Sequence, residues 1–242
     1  MEVHHHPDLH HKPKKWKEYF LEFLMIFLAV MMGFIAENIR ENITEHKNAK
    51  ILSQSLLEDI KQDTASLNSL ISFSNRKLNA ADSILAIAHT PRNTWNAKNF
   101  YTYLSPMLIS LPFKPTDGTY TQMKASGALR YLPQSLVNIL NAYDVQLKKT
   151  TYRDEVEDKG TWLLADLLFN VINLEVSTDI RFNRPVTHEM SIKIYNKDTT
   201  YRFINLVALN KGFRFRSYQE YQVQLKIAVK LIDALKKEYG LE

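Results

Sequence analysis

The chain has 242 residues, 31 Lys and Arg against 26 Asp and Glu for a net charge of +5, only six glycines and no cysteine. The missing cysteines exclude disulfides, thiol catalysis and cysteine metal sites, and so few glycines argue against a phosphate cradle or a loop-rich β fold. The first 36 residues hold four lysines and four acids, so the excess charge lies in residues 37–242, far from the signature of a nucleic-acid binder.

Residues 1–19 form a basic, His-rich tail read as cytoplasmic. Its His4, His5, His6, His10 and His11 offer ligands for Zn, Ni or Cu. The favoured reading is a flexible leader kept close to anionic lipid by Lys12, Lys14, Lys15 and Lys17, with no cofactor assigned. Residues 20–36, FLEFLMIFLAVMMGFIA, are almost uninterruptedly apolar and predict a transmembrane helix, with Trp16 and Tyr19 at headgroup level. At 1.5 Å per residue the run spans about 26 Å, near the lower limit for a bilayer. A cleaved signal peptide would want a small residue where Phe34 stands, and a lipoprotein signal would need a cysteine. A soluble core helix is the third alternative, favoured by Glu22 and opposed by the lysine cluster and the apolar residues on all faces.

Four lysines precede the run, and Arg40, Lys47 and Lys50 follow it. The short basic tail is hard to translocate, which places the N-terminus in the cytoplasm and residues 37–242 outside, periplasmic in a bacterium with the anchor in the inner membrane. Within the run Ala29, Gly33 and Ala36 share one helical face, with Glu22 one or two turns above. Small residues at this spacing let helices approach closely, and an intramembrane acid wants a partner. The plainer alternative has Glu22 reaching the headgroups beside Lys15.

Beyond the anchor the expectation is mainly α: a transmembrane helix continuing into an elongated helical bundle. Glu37 to Ala88 has neither Pro nor Gly and carries a heptad stripe, Leu57, Ile60, Thr64, Leu67, Ile71, Ser74, Leu78, Ala81, Leu85 and Ala88, ended by Pro91. A helix over about 97–109 follows. Then Pro112, Pro115 and Asp117-Gly118 mark a turn, and Thr119 with Gln122 fits a capping box for a short helix ending at Ser126-Gly127. Pro133 opens a helix to about Glu175, with a break possible at Asp154–Gly160. Residues 177–197 are irregular, with a minor strand at 191–195. Two helices close the chain, one capped by Asp198 and ending at Gly212, the other from Ser217 to Tyr239.

Motifs of chemistry are scarce. His188-Glu189 lacks the second histidine of a zinc-protease helix, and no G-x-S-x-G elbow or phosphate loop occurs. The reading is therefore non-catalytic, with no metal or cofactor. The basic-aromatic pieces Arg181-Phe182, Arg184, Arg202-Phe203 and Phe213 to Arg216 read as solvated face plus core, the alternative being a site for an anionic partner.

The opening MEVHHHPDLHHKPKKWKEYFLEFLMIFLAVMMGFIAENIREN resembles the start of a family of uncharacterised single-pass membrane proteins of Bacteroidota, built on a domain of unknown function. The segment PTDGTYTQMKASGALRYL is similar to a second motif of that family, matched at Thr119, Tyr120, Ser126, Gly127, Leu129 and Arg130. The resemblance implies an anchor and no activity, and makes Asp117 to Arg130 the surface of most interest. The function expected is an interaction or scaffolding module of the cell envelope, with the lipid bilayer and another membrane or envelope protein, or a second copy, as partners. A periplasmic ligand-sensing bundle signalling through a partner membrane protein is the alternative.

Overall fold

The computed structural model describes residues 15–241, and among these the chain forms six α-helices and no strand. The histidines of the tail, with their metal or lipid role, lie outside the described residues. Two compact units divide the chain, Met1–Lys50 and Ile51–Glu242, and helix α1 (Trp16–Ala88) contributes to both.

In the first unit α1 begins at Trp16, so the last residues of the expected tail are already helical. An 18-residue window of this helix has a mean hydropathy of 2.2 with none of it buried, long and apolar enough to cross a membrane. Phe20, Phe23, Met25, Ile26 and Phe34 are all exposed. A soluble core helix hides one side against its neighbours; this segment is apolar all round, with none of the window buried among the described residues.

The second unit is built on three long helices: the 51–88 part of α1, α4 (Gln134–Leu168) and α6 (Lys197–Tyr239). Between α1 and α4 lie α2 (Ala97–Leu104), a 3₁₀ turn Ser105–Leu108 and α3 (Gly118–Ser126), and between α4 and α6 lies α5 (Leu174–Arg181). The buried face of α6 is Phe203, Val207, Asn210, Arg214, Ser217, Tyr221, Gln224, Ala228, Leu231 and Leu235, in strictly alternating steps of four and three. Asp63 on α1 bonds Tyr143 on α4, and Lys77 bonds Glu157, both links joining residues 80 apart. These two helices therefore run parallel. On α6, Gln146 pairs with Glu220 and Gly160 with Asn210, so α6 runs antiparallel to α4.

Several boundaries differ from the sequence reading. The helix expected over 97–109 ends at Leu104 and passes into a 3₁₀ turn, where Pro106 has no N–H to continue it. The helix expected to reach Glu175 stops at Leu168, and Asn173 caps the separate α5 by accepting from the Glu175 N–H. No break occurs at 154–160, because Asp154 and Glu157 turn inward on the buried face. Gly160 stays helical, and Phe213 fills the space where its side chain would be, 2.6 Å from an added Cβ. The two expected C-terminal helices are one: Asn196, not Asp198, caps α6 through the Thr199 N–H at 2.8 Å, and the buried stripe passes Gly212 without interruption. The strand reduces to one antiparallel bridge, Ile172 with Ile192, although Ile192 and Ile194 are buried in alternation as the pattern predicts.

The heptad stripe of α1 holds at Ile60, Leu67, Ser74, Ala81 and Ala88 and slips by one position between them. Asp63, Lys77 and Ile84 are buried where Thr64, Leu78 and Leu85 were expected. The sequence reading kept charges out of the seam, and the fold puts two of them in it.

Gly160→Ala is expected to lower stability by about 1 kcal/mol, since crowding Phe213 costs about 1–3 kcal/mol and the helix gains only about 1 from losing a glycine. In a Phe213→Ala background the same change should stabilise by about 1 kcal/mol. Urea midpoints of the four variants of this cycle measure both signs.

Candidate functional site

Parallel helices cannot be joined by a tight turn, so the chain must travel back along the bundle between Ala88 and Gln134. Most of that return is residues 109–117, an extended strap with no helix or strand partner. Its backbone polar groups need side-chain partners, and three helices supply them. Lys77 Nζ donates to the Ile109 carbonyl at 2.7 Å, and the Phe113 N–H donates to Asp154 Oδ2 at 2.8 Å. The Thr116 N–H donates to Asp63 Oδ1 at 2.7 Å, and the Thr119 N–H to Asp59 at 3.1 Å. Two aspartates thus do the same double duty. Asp63 also accepts from the Tyr143 hydroxyl and Asp154 from the Tyr221 hydroxyl, each at 2.5 Å.

Beside this strap lies a buried ionic group. Glu157 Oε1 accepts from Lys77 Nζ at 3.0 Å and from Arg214 Nη2, and all three side chains are 1% exposed. Arg214 also donates to Ser74 at 3.2 Å and lies 5.4 Å from the centre of the Phe73 ring. Burial brings the Lys77 ammonium down to about 8 against the pull of Glu157, and pushes the Asp154 carboxyl up to about 6 against its two hydrogen bonds. Burial also raises Asp63 and both tyrosines. An open cleft of about 290 Å³ reaches Asp154 from outside, bounded by Ser110, Pro112 and Phe113 of the strap and by Thr151, Glu155 and Asp158 of α4. Among the described residues no three His, Asp or Glu side chains are placed to hold a metal ion. Chemically, the arrangement holds backbone.

The residues singled out in the sequence fall into two places. Glu22, Ala29, Gly33 and Ala36 are exposed on α1, and nothing lies within 4 Å of a side chain added at Gly33. Asp117 occupies the N-cap position of α3 but makes no side-chain capping bond, and the Thr119 N–H goes to Asp59, so the expected capping box does not form. Tyr120 is buried with the Lys124 ammonium 4.1 Å from its ring centre, and the Ser126 hydroxyl donates to the Gln122 carbonyl. Gly127 ends α3 at φ 70°, a left-handed conformation that suits glycine. Arg130 is exposed and donates to the Tyr131 hydroxyl at 2.9 Å.

Of the basic-aromatic pieces, Phe203 and Arg214 are buried, and Phe182, Arg202, Phe215 and Arg216 are exposed. His188 lies 3.5 Å from Glu175, with both on the surface. Sequence reasoning missed Asp63 and Lys77, took the run holding Asp154 and Glu157 for a possible break, and placed Arg214 in a basic-aromatic piece without its buried partner. Their signal was there: Leu140, Tyr143, Thr150, Asp154, Glu157, Thr161, Leu164 and Leu168 keep the helical repeat straight through the acidic run. Compared with family models, curated proteins and solved structures, the chain gives no match.

Glu157→Gln should cost about 3–5 kcal/mol, because it leaves two buried cations without their shared anion. Lys77→Met should cost about 2 kcal/mol or less, since Glu157 loses one donor but keeps Arg214, and the Ile109 carbonyl alone loses its Lys77 donor outright. Denaturant midpoints of the two variants check this order.

Proposed function

We propose that the chain is a membrane-anchored, non-catalytic helical module that binds another protein of the cell envelope, or a second copy of itself, as an interaction or scaffolding element. The observation that carries this reading is the apolar part of α1, whose window of mean hydropathy 2.2 has none of its residues buried among the described residues. Such a surface needs lipid or a partner helix. The polar side chains gathered in the bundle support the non-catalytic part, because Lys77, Asp63, Asp154 and Tyr221 hold backbone or one another. The lysines ahead of the run support an N-terminus in the cytoplasm and residues 37–242 in the periplasm, with the anchor in a bacterial inner membrane. The resemblance to single-pass membrane proteins of Bacteroidota points the same way.

The cleft beside Asp154 favours a second reading, a ligand-sensing bundle that signals through a partner membrane protein. A compound that raises the melting temperature saturably would promote it.

Three measurements test the first reading. The intact mass of the membrane-bound protein should retain residues 1–36, whereas loss of that stretch would make it a cleaved signal. A periplasm-dependent reporter fused after residue 242 should be active, and a cytoplasm-dependent one silent. Crosslinking in native membranes should capture a specific partner, and Gly33→Leu should reduce the yield severalfold if the Ala29, Gly33 and Ala36 face is the contact, because the added side chain forces two helices apart. Monomer alone under several crosslinking chemistries would defeat the proposal.

A further inference from the structure

The Tyr221 hydroxyl has one hydrogen and two acceptors competing for it: Asp154 Oδ1 at 2.5 Å and the Leu111 carbonyl of the strap at 3.4 Å. With Asp154 ionised the carboxylate wins, and the Leu111 carbonyl keeps only a long hydrogen bond to α6, beside the apolar packing of Phe113 on Tyr221. We propose that the strap is a proton-responsive latch: one proton taken up by Asp154 through the cleft reverses the Asp154–Tyr221 hydrogen bond and fastens Leu111 to Tyr221.

Each hydrogen has a place in the protonated state. The Asp154 Oδ1–H donates to the Tyr221 oxygen, and the Tyr221 hydrogen turns to the Leu111 carbonyl. The Phe113 N–H stays on Oδ2, now a carbonyl oxygen. The strap then holds to α4 through Phe113 and to α6 through Leu111. The proton comes from solvent, since Asp154 forms part of the cleft wall.

The charged groups around Asp154 fix the sense of the response. From α6 it meets Tyr221 and Arg214; from its own helix Glu155, Glu157 and Asp158; from α1, Lys77 acts through Glu157. Residues 110–113 of the strap are Ser, Leu, Pro and Phe and bring no ionisable side chain. Burial holds the Asp154 carboxyl up at about 6, against an ordinary 3.8, with the strap in place. Lifting the strap opens the carboxyl to water and returns it toward the ordinary value. Protons therefore favour the seated strap. The stabilisation is full below pH 3.8 and is lost as pH rises through about 6. Lys77, at about 8, keeps its charge through that window.

The test is amide hydrogen exchange on the full chain in lipid nanodiscs, with rates corrected for the intrinsic pH dependence. Protection of the Phe113 amide should rise roughly tenfold from pH 7 to pH 5, the factor that a carboxyl shifted from its ordinary value to about 6 allows. Asp154→Asn supplies an oxygen for Phe113 and an N–H for Tyr221, so it should show the acid level of protection at pH 7 and no pH response. Asp63→Asn, at the other pinned end, should leave the response at Phe113 in place. The latch is overturned by protection that is flat or falls toward acid, by an Asp154→Asn variant that still responds, or by loss of the response in Asp63→Asn.

Discussion

The second unit depends on one topological constraint. Helices α1 and α4 lie parallel, tied at two levels by pairs 80 residues apart, so the chain between them must return along the bundle. An extended strand covers distance economically, at about 3.3 Å per residue against 1.5 Å for a helix. What it lacks is a ladder for its N–H and C=O groups. Lys77, Asp154 and Asp63 serve in place of that ladder, meeting the strap at residues 109, 113 and 116, and Asp59 takes the Thr119 N–H just beyond it in α3. The strap thus runs against α1, and each anchoring side chain fixes its register.

The same need explains charges inside a helical seam. Buried ions are expensive unless paired and hydrogen-bonded, and Lys77, Arg214, Glu157 and Asp154 bring two charges of each sign. Lys77 spends one donor on the Ile109 carbonyl and another on Glu157. Sliding α1 by one turn along α4 would part Lys77 from both Glu157 and the Ile109 carbonyl, so the cluster specifies a register that leucines alone would leave degenerate. The apolar clusters on either side provide the burial. One gathers Ala81, Ile84, Phe100, Leu164 and Phe203; the other gathers Leu56, Ile60, Met123, Leu140 and Leu231.

The stretch from Asp117 to Arg130 that the resemblance brought forward is tied into this framework. Thr119 meets Asp59 through its backbone, Tyr120 is buried against the second cluster, and Gly127 turns the chain out of α3. Arg130 is what remains exposed at the end of the segment. The acidic cleft beside the strap opens next to Asp154.

By itself the sequence determined the elements whose cause is local. The apolar run of residues 20–36, the proline that ends α1, the helix stop at Gly127 and the alternation of Ile192 and Ile194 all follow from hydropathy period or from one residue's backbone preference. It also fixed the class, a mainly helical bundle behind an apolar helix. Tertiary structure decided everything that needed a partner from elsewhere in the chain. Gly212 and the acidic run at 154–158 read as breaks because a glycine or a cluster of charges weakens an isolated helix, and packing along an unbroken buried stripe overrode both. The sequence reading left Asp63 and Lys77 off the seam, took the run holding Asp154 and Glu157 for a possible break and put Arg214 in a piece of solvated face plus core, and burying a charge is indeed costly. Only the returning strap, with its unpaired backbone, and the meeting of opposite charges across three helices made burial the lower-energy arrangement.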